Sequence, residues 1–239
     1  GRRPDIVSVT LTVADDTIFG RPGEGSPSAH PEGPPRLVYH GTVARRLGLD
    51  IAVDAFAKLR PDHPALTFQI LGRGDYSDAL ARKIRADGLQ DAIDFPNIQV
   101  PVESLPKALA GALIGVVPNR NDPATRLMLP VKLLEYAHMG IPAVAPRLPA
   151  IAQYFDEHMV QWYRAGSPEG LAEAVNTLLN DPQRRAHVRA GALRFAERHR
   201  WERLRHDFSA ASDGEKAPKP SLRVIQYREQ RPQPSSDGR

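Results

Sequence analysis

The sequence predicts an α/β fold, a Rossmann-like parallel sheet with helices on both faces. Three observations carry this reading. From residue 36 to about residue 200, short apolar runs of strand length alternate with stretches of helical periodicity. The runs are apolar along their length, as strands covered on both sides require. The helical stretches start and stop on capping residues. Strand and helix alternating at this spacing make βαβ units, whose crossovers cover both faces of the sheet.

The strands are expected at "RLVYHGT" (36–42), "ALTFQILG" (65–72), "AIDF" (92–95), "ALIGVVP" (112–118), "IPAVAP" (141–146) and "MVQWY" (159–163). Between them, "LDIAVDAFAKLR" repeats apolar residues at helical spacing through Leu49, Val53, Phe56 and Leu59, and "DALARKIRADG" stops at Gly88. "SPEGLAEAVNTLLN" opens with Ser167 as N-cap, Pro168 at the first helical position and Glu169 on the positive end of the dipole. Asp181 and Pro182 repeat the device for "DPQRRAHVRAGALRFAERHR". Residues 21–35 hold five prolines and three glycines and read as a flexible insertion. Residues 213–239 hold few core-forming side chains and read as a disordered tail.

Composition fits one domain with unordered ends: 239 residues, 41% hydrophobic and 25% charged. A net charge of +4 suits an anionic ligand and falls short of the dense basic face of a nucleic-acid binder. The absence of cysteine excludes a disulfide scaffold or thiolate metal site and agrees with a reducing compartment. No apolar run reaches the length of a membrane span. The eight histidines form no His-x-x-x-His pair and no cluster with carboxylates at ligand spacing, which argues against a protein-built metal site. The sequence begins at Gly1 without methionine or signal peptide, so it is expected to be part of something longer.

Parallel sheets bind ligands outside the carboxyl ends of their strands. The first such end is "YHGTVARRLG", where Gly41 allows close approach to the backbone and Arg45 and Arg46 precede a helix N-terminus, a setting for phosphate. The bland alternative is a turn glycine followed by two solvated arginines. The second, "LGRGDYSDAL", brackets Arg73 with Gly72 and Gly74, but Ser77 stands where the dinucleotide fingerprint needs a third glycine, so a tight turn is the competing reading. In "TRLMLPVKLLEYAHMGIPAVA" (125–145), Pro130 is expected at the first helical position, leaving the N–H groups of Val131 and Lys132 unpaired. Lys132 and Glu135 share a helix face, with Val131, Leu134 and His138 opposed. A carboxylate can accept bonds from vicinal ribose hydroxyls and an ammonium can neutralise a phosphate, so cation, amides and carboxylate together suit a nucleoside diphosphate. The alternative is a Lys–Glu surface pair. His40, at the ligand end of the first strand, is either functional or a satisfied strand-end histidine.

In order and spacing, "YHGT…RRLGLDIAVDAFAKL", "LGRGDYSDAL", "IDF", the "LP.KLLEYAHMGIPAVAP" block and "AEAVNTLLNDPQRRAHVRAGALRFAERHRW" resemble the C-terminal, nucleotide-sugar-binding lobe of retaining GT-B glycosyltransferases, glycosyltransferase family 4 or group 1, over about residues 6–211. The resemblance implies that Glu135 binds the ribose hydroxyls and that Arg46 holds the diphosphate. Gly41 matches the phosphate-side loop, and the amides near Val131 match those that meet the distal phosphate. Arg46 and Lys132 would stabilise the leaving diphosphate. Thr42, Gly72 and Gly74 complete the expected donor site. Two positions depart from the family: Leu127 replaces a first glutamate, and Thr42 stands where an arginine often follows the glycine. A subgroup with "LP.KLLEY" exists within the family.

The implied organisation is a segment entering the lobe (1–20), the insertion (21–35), the donor-binding lobe (36–200), a closing helix (201–212) and the tail (213–239). The implied reaction moves a hexosyl group from a nucleoside-diphosphate sugar to an acceptor hydroxyl with retention. It needs no cofactor beyond the donor. The partners are this nucleotide-sugar donor, a glycan, lipid or small-molecule acceptor, an N-terminal acceptor lobe in cis or trans, and no nucleic acid. The acceptor lobe is absent from this chain. The expected location is the cytoplasm, including the inner face of the membrane. Two other readings stand beside it, a non-catalytic nucleotide-sugar-binding module and a sugar-nucleotide epimerase.

Overall fold

Apolar side chains at successive strand positions, rather than alternate ones, leave no face of the sheet for water, and helices cover both. The computed structural model describes residues 13–24 and 33–202. The core of the proline-rich insertion, the closing helix beyond Glu202 and the tail lie outside the described residues.

Six parallel strands form one sheet: β1 (Arg36–His40), β2 (Thr67–Leu71), β3 (Ile93–Asp94), β4 (Ile114–Val116), β5 (Ala143–Pro146) and β6 (Gln161–Tyr163), in the spatial order β3-β2-β1-β4-β5-β6. This is a doubly wound Rossmann-like sheet whose order reverses between β1 and β4. All six apolar runs of the sequence supply a strand, and each strand is shorter than its run. Flanking residues such as Leu66, Ala112 and Val160 are buried beside the sheet without pairing in it.

Helices α2 (Leu49–Leu59), α3 (Ser77–Ala86) and α7 (Pro168–Asn180) pack on one face, where Leu49, Val53 and Phe56 meet Tyr39, Phe68 and Ile114. The other face is covered by α1 (Asp16–Phe19), α4 (Leu105–Leu109), α5 (Val131–Met139), α6 (Pro149–Ala152) and most of α8 (Pro182–Arg198). Ser167 accepts from the Gly170 N–H at 3.0 Å and Asp181 from the Arg184 N–H at 2.8 Å, so both N-caps satisfy donors that a helix start leaves orphaned.

Helix α5 positions the site and is anchored on several sides. The Tyr136 hydroxyl donates to the Val38 carbonyl at 3.2 Å, and Arg189 of α8 donates to the Gly140 carbonyl at 3.1 Å. His138 lies 2.7 Å from the Gly20 carbonyl and 3.5 Å from Asp16, which also pairs with Arg200 at 2.8 Å. Residues 21–24, the start of the stretch read as flexible, form a turn whose Gly23 N–H donates to the His138 carbonyl at 2.9 Å.

Beneath α5, the Tyr136 ring lies flat against Gly115, and a methyl group added there would stand 2.6 Å from the ring. Tyr136 is fully buried and cannot swing away. Gly115→Ala is therefore expected to lower the unfolding free energy by about 1–3 kcal/mol through overpacking, measured by urea denaturation. Wild-type stability in this variant would show that α5 is less firmly seated on β4.

Candidate functional site

Where the strand order of a doubly wound sheet reverses, the two neighbouring crossovers leave in opposite directions and open a crevice at the carboxyl ends. Here that crevice lies beyond His40 of β1 and Val116 of β4. The loop after β1, the loop after β4 and the N-terminus of α5 meet at it.

Lys132 does not pair with Glu135, its neighbour on α5. Its ammonium lies over the Tyr39 ring, 4.7 Å from the centroid, and reaches the exposed Gly41, where a methyl group would meet Nζ at 3.7 Å. The Tyr39 hydroxyl donates to the Thr42 carbonyl at 2.5 Å, which holds the turn after β1 in place. Arg46 is exposed in the short 3-10 turn Arg45–Leu47, and its positive charge acts on both the Tyr39 phenol and Asp122. Lys132 thus touches Tyr39, and the charge of Arg46 is felt there from the turn after β1. Arg120 ties the loop after β4 to this turn: its N–H donates to the Arg46 carbonyl at 3.1 Å, and its guanidinium pairs with Asp50.

Pro130 is the N-cap of α5, not its first helical residue, because its ψ of 122° is extended and Val131 begins the helix. The expected consequence is unchanged. No side chain caps this end, so the N–H groups of Val131 and Lys132 have no acceptor in the helix. Val131 itself is exposed, while Leu134 and His138 are buried.

Glu135 is only 7% exposed, which removes the reading of a solvated Lys–Glu pair. Its Oε2 lies 3.3 Å from Nε2 of His40, a buried imidazole set edge-on to the Tyr136 ring. Burial pushes the Glu135 carboxyl up to about 7 against the opposing pull of Lys132. Burial likewise brings the Lys132 ammonium down to about 8, with Glu135 opposing. His40 falls to about 3 through burial and the nearby Lys132 charge, so its imidazole is neutral near pH 7.

The second glycine loop does different work. A methyl group on Gly72 would stand 1.8 Å from the Gly41 carbonyl oxygen, and one on Gly74 2.2 Å from that of Val43. These glycines let the loop after β2 lie against the loop after β1, where the Val43 N–H donates to the Arg73 carbonyl at 3.1 Å. Gly72 still lines a cavity of about 180 Å³ between the two loops, with His40, Gly41, Thr42, Arg73 and Gln99. Gly74 packs against the first loop, as the tight-turn reading of this stretch expects. The residues that sequence reasoning missed are Tyr39, whose ring carries Lys132, and Asn119, fully buried beyond β4 with both amide atoms unpaired. The sequence "VPNR" carries no signal for the latter beyond its place at the end of an apolar run.

The crevice therefore presents two cations and two free amides beside a buried carboxyl that is a pure acceptor once ionised. That combination recognises an anion joined to a group with hydroxyls. Among the described residues, no three His, Asp or Glu side chains are grouped to hold a metal ion, and no helix is long and apolar enough to cross a membrane.

Residues 34–181 match the glycosyl transferases group 1 family, and the chain belongs to it. It is 31% identical to an exopolysaccharide phosphotransferase of Streptomyces coelicolor, over 74% of this chain and 20% of that protein. It is 29% identical to the glycogen synthase of Mycobacterium tuberculosis, over 82% of this chain and 47% of that protein. The chain thus spans a fifth to about half the length of these relatives. Among solved structures, the Anabaena protein Alr3699/HepE in complex with UDP and glucose superposes with a TM-score of 0.62 at 19% identity, covering 74% of this chain and 47% of that one. The C-terminal domain of the group 1 protein LpcC from Francisella tularensis gives 0.60 at 15% identity, covering 76% and 95%. The fold is that of GT-B glycosyltransferases.

Because the Glu135 carboxyl is held above its ordinary value of 4.5, protonation favours the folded chain. Stability attributable to this group rises as pH falls through about 7, and the gain is complete below about 4.5. Glu135→Gln cannot titrate. From pH 8.5 to pH 5 the wild type is expected to gain about 1–3 kcal/mol relative to this variant, read from urea denaturation at each pH. A difference that does not change with pH would contradict the burial of an ionisable Glu135.

Proposed function

We propose that this chain is the donor-binding, C-terminal lobe of a retaining glycosyltransferase of family 4. Such an enzyme transfers a hexosyl group from a nucleoside-diphosphate sugar to an acceptor hydroxyl. The observation that carries the reading is the meeting of Lys132 and the uncapped start of α5 at the β1/β4 crevice, with buried Glu135 beside them and the charge of Arg46 felt from the turn after β1. Family membership and the UDP and glucose bound by the Anabaena neighbour support it.

Glu135, an acceptor-only group when ionised, takes hydrogen bonds from the two ribose hydroxyls. Lys132, Arg46 and the N–H groups of Val131 and Lys132 take the diphosphate. In the reaction the bond between the anomeric carbon and the β-phosphate oxygen breaks, a bond from the acceptor oxygen forms on the same face of the sugar, and the acceptor's hydroxyl proton passes to the departing diphosphate. Negative charge grows on the departing diphosphate. The cations and helix amides are already oriented toward it, so they need little reorganisation as the charge develops. The diphosphate also restores full protonation to Lys132, whose charge burial alone disfavours.

The acceptor, a glycan, lipid or small molecule, binds a second lobe supplied in cis or trans, and closure of the two lobes excludes water. The expected location is cytoplasmic. A second reading, a nucleotide-sugar-binding module without transfer activity, is favoured by Leu127. At the position of the family's first glutamate this side chain is 69% exposed and apolar.

Titration with UDP, GDP and ADP by calorimetry tests the shared site. Glu135→Ala and Lys132→Ala are each expected to weaken the best nucleotide about 10- to 100-fold, the loss of a charge-assisted bond. Arg46→Ala, at an exposed position, is expected to weaken it about 3- to 10-fold. Unchanged affinity in both Arg46→Ala and Glu135→Ala would overturn the donor site. Radiolabelled sugar transfer, with and without a supplied acceptor lobe, then separates enzyme from module: transfer only with the lobe supports the enzyme.

A further inference from the structure

The sequence left His40 between two roles, and its surroundings choose between them. It is the last residue of β1, 4% exposed, in the centre of the sheet at the reversal point. Its ring is fixed edge-on to Tyr136, with centroids 5.1 Å apart. Nε2 is sealed from solvent without an aligned hydrogen-bond partner, yet stands 3.3 Å from the Glu135 carboxylate. On its other side the residue lines the 180 Å³ cavity between the first two loops. A satisfied strand-end histidine would have its nitrogen bonded. A buried ring nitrogen left unpaired beside a carboxyl is unfavourable, and the Nε2–H tautomer relieves this by donating to Glu135.

We propose that His40 is a positioning residue for the carboxylate: its Nε2–H engages one oxygen of Glu135 when nucleotide binds and turns the other toward the ribose hydroxyls. This rests on the donor-site reading above. Glu135 on its own has several rotamers, and a carboxylate that must accept two bonds from vicinal hydroxyls works only in a narrow orientation. Tyr136 holds the imidazole through ring contact and is itself held by the Val38 carbonyl, so the orientation is set by β1 and not by the ligand. The other charge facing the pair is Lys132, which bends away to Tyr39 and leaves Glu135 free for His40. A neutral imidazole suits this task, because it directs the carboxylate without adding a positive charge that would repel Lys132.

The test compares UDP with 2′,3′-dideoxy-UDP, or the matching GDP or ADP pair if the wild type binds that base more tightly. The wild type is expected to prefer the ribose form by about 10-fold or more. His40→Phe keeps the ring but not the donor. His40→Asn ends its amide short of Glu135. Both should reduce the preference to about twofold or less while the dideoxy form binds nearly as in the wild type. His40→Gln, whose amide reaches the Nε2 position, should restore most of it. If Phe and Asn keep the full preference while Glu135→Ala loses it, the role given to His40 is overturned and the donor site stands. Failure of Gln to recover more than Phe would also overturn it, since the effect would then be packing. If the wild type shows no preference for ribose over dideoxyribose, or Glu135→Ala keeps the full preference, the donor-site reading falls and His40 with it.

Discussion

A carboxylate and an ammonium on one short helix are withdrawn from water at the carboxyl end of the central strand, and each is held away from its ordinary ionisation by that withdrawal. Such a pair opposes folding unless its partners compensate. Lys132 and Glu135 do not compensate each other by contact. The ammonium rests on an aromatic face and the carboxylate faces a neutral imidazole, so both keep unspent bonding capacity directed into the crevice. An ordinary surface pair has no such reserve, and this is the physical difference between a decorated helix and a binding site.

The rest of the lobe makes that arrangement possible. A doubly wound sheet gives β1 and β4 adjacent carboxyl ends with crossovers leaving on opposite sides, so the loop of one and the helix of the other meet. Gly115 admits the Tyr136 ring, Tyr136 holds His40, and His138 ties the far end of α5 to the entering segment. Asp16 then joins that segment to Arg200 after α8. One helix therefore carries the candidate ligand groups at its start and the contacts to the segment around Asp16 and Gly20 at its end.

Much of this could be read from sequence because its causes are local. Strand runs and helix periodicity reflect two-sided burial, and Ser167 and Asp181 act on donors three residues away. The pattern "PVKLLE" announced free amides, a cation and a carboxylate in one turn. What sequence could not reveal depends on distant neighbours. The Gly-x-Gly of "LGRGD" fits a ligand loop or a tight turn, and it is the carbonyls of the first loop that require both glycines. Pro130 could cap or begin the helix, and its ψ is decided by how the loop after β4 returns to the sheet. His40 and Glu135 are far apart in the chain, and only the packing of α5 on β1 brings them to 3.3 Å. The short helices α1, α4 and α6 carry too few residues to show a period.

The most direct measurement of the central claim is a crystal structure of the chain with UDP. The account predicts the diphosphate at the N-terminus of α5 within about 3.2 Å of Lys132 Nζ, and Glu135 at similar distance from the ribose hydroxyls. A nucleotide bound away from the β1/β4 crevice, or one lying in it with its ribose out of reach of Glu135, would contradict the account.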